Sequence, residues 1–194
     1  RWRARAVDSS GLASAYSPSN RFTTAFRDQD VDGLGDTWET QNFGSTAAQD
    51  QFGDPDADGR TNRQEFNVGS DPNRYDGPGL PTIAAPACGT TVGALPITVV
   101  AGNAPSPLGD SLQYTFELYS DAGMTVPLGR ADSVAEGAGG TTSWIIPAAL
   151  EENHRYFWRV RARDSFIAGA YSASCSFLVN TGNDAPGLPI VVAP

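Results

Sequence analysis

The sequence predicts a mainly β fold, in which tandem Greek-key β-sandwich modules are joined by an inserted, loop-rich segment with two short helices. Short apolar runs alternate with turn residues across residues 79–180, which is typical of strands. Two stretches of the chain also recur elsewhere in it, which indicates repeated modules. The 21 glycines and 14 prolines among 194 residues fit a turn-rich β protein.

The repeats give the predicted domain organisation. Residues 76–86 recur as residues 184–194, and residues 158–164 recur as residues 2–8. We therefore expect the chain to be part of a longer tandem array. The predicted divisions are the C-terminal strands F and G of one module (1–24), an acidic segment (25–78), a complete module (79–180), and a linker with the first strand of a further module (181–194).

The complete module contains the clearest strand patterns. Apolar side chains fall on one face of residues 112–118 and of residues 156–162, while Arg159 and Arg161 fall on the opposite face of the latter. Seven short strands in about 100 residues are typical of a β-sandwich. The remaining strands are predicted near residues 96–100, 126–131, 141–146 and 174–179, with one more at the start of the module.

Two twelve-residue stretches of the acidic segment, 28–39 and 54–65, have oxygen-bearing side chains at positions 1, 3, 5, 9 and 12 and glycine at position 6. This is the ligand order of an EF-hand calcium loop, in which position 7 gives a backbone carbonyl and the final glutamate binds bidentately. The predicted ligands of two Ca²⁺ ions are Asp28, Asp30, Asp32, Leu34, Asp36 and Glu39 in loop one, and Asp54, Asp56, Asp58, Arg60, Asn62 and Glu65 in loop two.

Charge is concentrated in the same segment. The net charge of the chain is −9, and residues 25–78 hold 12 acidic and 4 basic side chains. The alternative for each stretch is an acidic, solvated turn, because Asp and Gly are common in turns. Two complete matches with the same spacing favour metal binding.

A short helix is predicted after each loop, at residues 37–43 ending at Gly44 and at residues 63–68 ending at Gly69. Residues 22–26 are predicted to be a strand, which leaves no room for the entering helix of a conventional EF-hand. A small apolar centre is predicted from Leu34, Trp38, Phe43, Phe52, Phe66 and Val68. So small a core would depend on metal binding for folding energy.

The 79–180 module resembles the fibronectin type III family and its bacterial immunoglobulin-like relatives. Leu150, followed six residues later by Tyr156, is similar to the tyrosine corner of that family. Cys88 and Cys175 lie in no metal-binding spacing, so buried thiols and a disulfide both stay open from the residues alone. The resemblance implies that they lie on the first and last strands, which can run side by side and allow a disulfide.

The acidic segment resembles the bacterial thrombospondin type 3 repeat, on its aspartate-rich loops and its closing sequence at residues 69–72. It is also similar to dockerins, which pair two calcium loops without entering helices. The glutamates at the last loop position, Glu39 and Glu65, and the short helices favour the thrombospondin-like interpretation. This resemblance implies a bacterial, secreted or cell-surface protein.

The leading hypothesis is a non-enzymatic, extracellular structural or adhesion protein, in which a two-calcium joint makes a sandwich array rigid. The alternatives are a calcium-dependent protein-docking module and a spacer of a secreted hydrolase. The expected partners are neighbouring modules of the same longer chain, while self-assembly and a surface protein or glycan partner stay open. The sequence has no basic stripe for nucleic acid, no apolar run long enough for a membrane span, and no catalytic motif.

Overall fold

The computed structural model describes residues 3–18 and 27–182. The chain divides into two compact units, one formed by residues 1–53 and 61–71 and the other by residues 54–60 and 72–194. Neither of the described helices is long and apolar enough to cross a membrane. The strand predicted at residues 22–26 and the opening strand predicted at residues 184–194 lie outside the described residues.

Residues 3–18 of the first unit form a hairpin-like turn. The backbone N–H groups of Ser14 and Ser17 donate to the carbonyls of Ala6 and Ala4, and Val7 and Ala13 form an isolated antiparallel bridge. The carboxylate of Asp8 accepts two backbone N–H groups inside the turn. Residues 3–18 therefore pair through this bridge rather than as two regular strands, and their assignment to strands F and G of a module stays a prediction.

Two helices follow in the same unit, α1 (Asp36–Phe43) and α2 (Asn62–Val68). Each ends at a glycine in the left-handed conformation, Gly44 (φ 77°) and Gly69 (φ 81°), whose N–H closes the last turn. Thr61 begins α2 with a reciprocal capping box. Both helices begin one residue earlier than the sequence predicts and end where it predicts.

Aromatic rings form the small apolar centre of this unit. Trp38 contacts Phe43 and Phe66 edge-on, with ring centroids 5.4 and 5.5 Å apart. The prediction is wrong for two other members of the set, since Phe52 is 75% exposed and Val68 is 59% exposed. The apolar centre is therefore even smaller than the sequence suggests.

The second unit is a two-sheet β-sandwich, as the sequence predicts. One sheet has the strand order β1-β3-β6, and the other has the order β2-β8-β7-β4-β5. The strands are β1 (Thr82–Ala85), β2 (Thr91–Val92), β3 (Thr98–Gly102), β4 (Gln113–Tyr119), β5 (Pro127–Ala135), β6 (Thr141–Ile145), β7 (Arg155–Arg163) and β8 (Cys175–Val179).

The core lies between the two sheets and follows the period-two pattern of the sequence. On β7, Tyr156, Trp158 and Val160 are buried, and the residues between them are partly exposed. On β4, Tyr114 and Phe116 are fully buried, and the Phe116 ring stacks on Trp158 at 6.3 Å. The predicted tyrosine corner is confirmed, because the N–H of Glu151 donates to the hydroxyl of Tyr156 at 2.7 Å.

The predicted disulfide between Cys88 and Cys175 is formed, with Cα atoms 5.0 Å apart. The predicted position of Cys88 is wrong, because this residue lies in a turn between β1 and β2 rather than on the first strand. Pro86 offers no N–H for pairing and Gly89 has a φ of 82°, so the first strand breaks here. The short β2 then pairs with β8 in parallel in the second sheet, which raises the strand count from seven to eight.

Candidate metal centre

Loop one lies entirely in the first unit, and its backbone turns sharply at two positions. Val31 has a φ of 64° and Gly33 has a φ of 93°, both in the left-handed region. These turns let the alternate residues Asp28, Asp30 and Asp32 gather, so that one carboxylate oxygen from each lies within 4.8 Å of the others. The three aspartates are thus brought together as the loop pattern predicts.

Backbone hydrogen bonds hold these carboxylates in place. Asp28 accepts the N–H of Gly33 at 2.9 Å and that of Asp32 at 3.2 Å. Asp32 in turn accepts the N–H of Leu34 through Oδ1 at 2.8 Å. Its second oxygen, Oδ2, is buried and has no hydrogen-bond partner. The loop therefore has a fixed geometry and an oxygen that no protein group satisfies.

Glu39, in the first turn of α1, supplies the main electrostatic feature of loop one. Its side chain is fully buried, and neither of its carboxylate oxygens has a hydrogen-bond partner. Burial, followed by the charges of the neighbouring aspartates, raises the pKa of Glu39 to about 7. A buried carboxylate without a donor is unfavourable, and a cation at this point would compensate it.

The remaining predicted ligands of loop one are Leu34 and Asp36. Leu34 is fully buried. Asp36 begins α1, and its Oδ1 accepts the N–H of Gln29 at 2.7 Å. Ligation by the Leu34 carbonyl and by Asp36 stays a prediction.

The first seven positions of loop two belong to the second unit and repeat the conformation of loop one. Ala57 has a φ of 60° and Gly59 has a φ of 91°, matching Val31 and Gly33 in position. One oxygen from each of three aspartates again lies within 4.8 Å of the others: Asp54, Asp56 and Asp58.

The hydrogen bonds of this half-loop are also repeated. Asp54 accepts the N–H of Gly59 at 3.1 Å, and Asp58 accepts the N–H of Arg60 at 2.8 Å. Burial raises the pKa of Asp56 despite the hydrogen bond from the Asp58 N–H. Asp56 Oδ2 is buried without a hydrogen-bond partner, as Asp32 Oδ2 is in loop one.

The other two predicted ligands of loop two, Asn62 and Glu65, lie on α2 in the first unit and are fully buried. The Nδ2 group of Asn62 donates to the carbonyl of Asp50 at 2.7 Å, and its Oδ1 has no hydrogen-bond partner. One oxygen of Glu65 accepts the hydroxyl of Ser70 at 3.3 Å. The amide of Asn62 is thus oriented with its oxygen available.

The donor set fits a hard divalent cation. Carboxylates and an amide provide the side-chain oxygens of both loops, and neither loop contains His or Cys. Ca²⁺ takes six to eight oxygen ligands in a flexible coordination geometry, which suits these oxygen-rich loops. Softer metals prefer nitrogen and sulfur, so the chemistry favours Ca²⁺ over Zn²⁺.

The side chain of Arg60 is a feature that the sequence analysis missed, since it predicted only a role for the carbonyl. Arg60 is 4% exposed, donates to Asp110, and lies 3.8 Å from Asp76. Its guanidinium also stacks 4.0 Å from the ring centre of Phe166. One signal in the sequence could have indicated this role: loop two has a charged residue at position 7, where loop one has the apolar Leu34.

On the arginine-bearing face of β7, Arg159 forms an ion pair within the sandwich. Arg159 and Arg130 both pair with Glu117, at 2.8 and 2.7 Å. Burial alone would raise the pKa of Glu117, but hydrogen bonds from Tyr171, Tyr119 and Arg159 outweigh it and lower the pKa. Pairing with Glu117 on the neighbouring strand β4 accounts for the position of Arg159.

No protein-family model matches the sequence, and no curated protein matches it either. Among solved structures, CopC from Methylosinus trichosporium OB3b is similar at a TM-score of 0.35 and 14% identity, covering 52% of this chain and 93% of that one. The FN1–FN3 domains of chicken CNTN1 give a TM-score of 0.37 and 15% identity, covering 53% of this chain and 34% of theirs.

A fibronectin type III domain of the human fibronectin type III domain containing protein 3 gives a TM-score of 0.34 and 16% identity. It covers 57% of this chain and 94% of that domain. Similarities of this size do not place the chain in a family. The sandwich architecture follows instead from the strand pairings of the second unit.

Proposed function

We propose that this chain is a structural piece of an extracellular, non-enzymatic β-sandwich protein, in which residues 25–78 form a joint that two Ca²⁺ ions make rigid. The observation that carries the proposal is Glu39, which is fully buried with both oxygens lacking a hydrogen-bond donor and which is subject to the negative charges of three gathered aspartates. Without a cation this arrangement is unfavourable, because like charges repel and burial removes their solvation.

The mechanism follows from the residues of loop one. Asp28, Asp30, Asp32 and Glu39 would hold the ion, and the backbone N–H groups of Gly33 and Leu34 keep the aspartates oriented. With Ca²⁺ held by these residues, their negative charges would be neutralised, and Glu39 on α1 would be joined to the aspartates that begin the loop. Metal-free carboxylates repel one another, so the segment loosens when calcium is removed.

The disulfide supports an extracellular location. Cys88 and Cys175 are paired, and disulfides persist in oxidising compartments. The same proposal includes a bacterial origin, an adhesion role and a thrombospondin type 3-like acidic segment. These parts of it rest on the loop sequences described above. The proposed partners are neighbouring modules of a longer chain.

Calorimetric titration of the whole chain with CaCl₂ tests the metal sites. We expect a stoichiometry of two, and we expect Glu39→Gln to abolish one site because it removes the closing carboxylate of loop one. Glu151→Gln is the matched control, since Glu151 is exposed and lies outside both loops. No heat of binding in the wild-type chain, or full binding by Glu39→Gln, would contradict the proposal.

Limited proteolysis with trypsin tests the joint. Four arginines lie in the segment, at positions 27, 60, 63 and 74. We expect chelator to accelerate cleavage at these positions while the sandwich stays intact. Equal resistance in calcium and in chelator would contradict the rigid joint, and a calcium-dependent protein captured by the segment would favour a docking module instead.

A further inference from the structure

Asp76 is a buried acid outside both twelve-residue loops, and the predicted ligand set does not use it. It is 2% exposed, and both of its carboxylate oxygens are buried without a hydrogen-bond partner. Its closest cation is Arg60, whose Nε lies 3.8 Å from Oδ1, too far for a hydrogen bond. The guanidinium of Arg60 instead donates to Asp110.

The side chain of Asp76 faces a ligand of loop two. A carboxylate oxygen of Asp76 lies within 4.8 Å of one from Asp58, which is itself 1% exposed. The backbone N–H of Asp76 also donates to Asp58 Oδ2 at 3.4 Å. Two buried carboxylates this close repel each other strongly unless a cation or a shared proton lies between them.

We propose that Asp76 supplies a ligand oxygen, from outside the loop, to the Ca²⁺ ion of loop two. This inference rests on the proposed calcium function of the loops. Asp76 lies 18 residues after Asp58, and it is held in the second unit by the buried residues that follow it, Gly77 and Pro78. The ion would therefore attach the first half of loop two to the start of the sandwich, where the N–H of Gly79 donates to the carbonyl of Pro105.

Among the residues that the structure describes, no buried acid takes the place of Asp76 beside loop one. Asp50 lies the same distance in sequence from Asp32 as Asp76 does from Asp58, but it is exposed, and its Oδ1 accepts the backbone N–H groups of Phe52 and Gly53. Within the described part of the chain, the extra carboxylate therefore lies beside loop two only. It predicts that the two loops differ in calcium affinity, since ligand charge tunes affinity.

The first test is calorimetric titration of the full chain with CaCl₂ in the wild type, Asp76→Asn and Asp110→Asn. We expect Asp76→Asn to weaken one of the two sites by about tenfold or more, leaving the other unchanged. Asp110→Asn removes a carboxylate that pairs with the same Arg60, so it controls for long-range charge, and we expect less than about a threefold change. Equal calcium affinities in the wild type and Asp76→Asn would overturn the inference.

A second measurement does not depend on the folding of a variant. In crystals of the wild-type chain grown with CaCl₂, we expect an oxygen of Asp76 about 2.3–2.6 Å from an ion that also contacts Asp58. An ion in loop two without Asp76 in its coordination shell would overturn the inference but leave the proposed function standing. A wild-type chain that binds no calcium would instead overturn the proposed function itself.

Discussion

At the scale of single residues, the protonation of Glu39 would couple the proposed calcium binding to pH. The pKa of Glu39 is raised to about 7 from an ordinary value of 4.5, so the folded, metal-free chain binds this proton more tightly than the unfolded chain does. The proton therefore contributes stability that is fully present below about pH 4.5 and is lost as the pH rises through 7. Calcium needs the ionised carboxylate, so its binding has the opposite pH dependence.

We expect the calcium affinity of loop one to fall as the pH drops from 8 to 6, with protons released on binding. Calorimetry in two buffers of different ionisation enthalpy measures that release. In chelator, we expect the wild type to gain stability relative to Glu39→Gln between pH 8 and pH 5. A difference between the two proteins that does not change with pH would contradict the assignment.

Val31 is a residue in an unfavourable backbone conformation. It is β-branched, has a φ of 64°, and is 83% exposed. The left-handed region costs such residues about 1–2 kcal/mol, while Asn tolerates it better. We expect Val31→Asn to raise the free energy of unfolding of the first unit by up to about 1 kcal/mol, measured by urea titration in chelator.

Two further substitutions serve as a comparison and a control for Val31→Asn. Ala57→Asn changes the matching position of loop two, where φ is 60°, and we expect it to act in the same direction. Val68→Asn changes an exposed helical residue with ordinary dihedral angles, and we expect no gain. A loss of stability in Val31→Asn would show that the loop does not hold this conformation in solution.

At the scale of elements, the ends of the helices were the most predictable feature. Gly44 and Gly69 end α1 and α2 as the sequence predicts, because glycine adopts the left-handed conformation that closes a helix. The beginnings differ by one residue, since an N-terminus depends on which side chain caps it. The N-cap of α1 is Gly35, without a side-chain hydrogen bond, whereas Thr61 and Gln64 form a capping box on α2.

That difference predicts unequal effects of two Thr→Ala substitutions. Thr61→Ala removes the cap of α2, and we expect a loss of about 1 kcal/mol. Thr37→Ala changes an exposed residue of α1 that makes no capping bond, and we expect little effect. Hydrogen exchange of the α2 backbone amides measures the loss, and equal exchange rates in both variants would contradict the role of the cap.

The strands of the sandwich were predictable where apolar and polar residues alternate, and this pattern is visible in the sequence even on β4, whose polar residues Thr115 and Glu117 are also buried. β4 and β7 show it clearly, with Phe116 and Trp158 packed between the sheets. The break between β1 and β2 was not predictable, since it depends on how the chain passes from one sheet to the other. A two-residue strand such as β2 has too few positions to show a pattern.

At the scale of the whole molecule, the sequence identifies the residues of each candidate site better than their surroundings. Loop spacing brings Asp28, Asp30 and Asp32 together because the pattern and the contacts are local. Asp76 contacts Asp58, which is 18 residues earlier, and the side chain of Arg60 contacts Asp110, which is 50 residues later. The spacing of residues within one loop cannot reveal such contacts. Such long-range contacts form only when the sandwich folds.

The disulfide is a long-range covalent constraint on the sandwich. It joins residues 87 positions apart, and Cys175 is buried on β8 beside Phe177. Closing so long a loop restricts the unfolded chain, so we expect Cys88→Ala with Cys175→Ala to lower the free energy of unfolding of the sandwich by about 2–5 kcal/mol. Urea unfolding of both proteins in calcium measures this loss.

Reduction of the wild type should reproduce the loss, and the double variant should not respond to reductant. Calcium binding at loop one should be unchanged in the variant, because that loop lies entirely in the first unit. An identical unfolding midpoint in the wild type and the variant would mean that strain in the native bond cancels the entropic gain. A lost calcium site at loop one would instead mean that the two units do not fold independently.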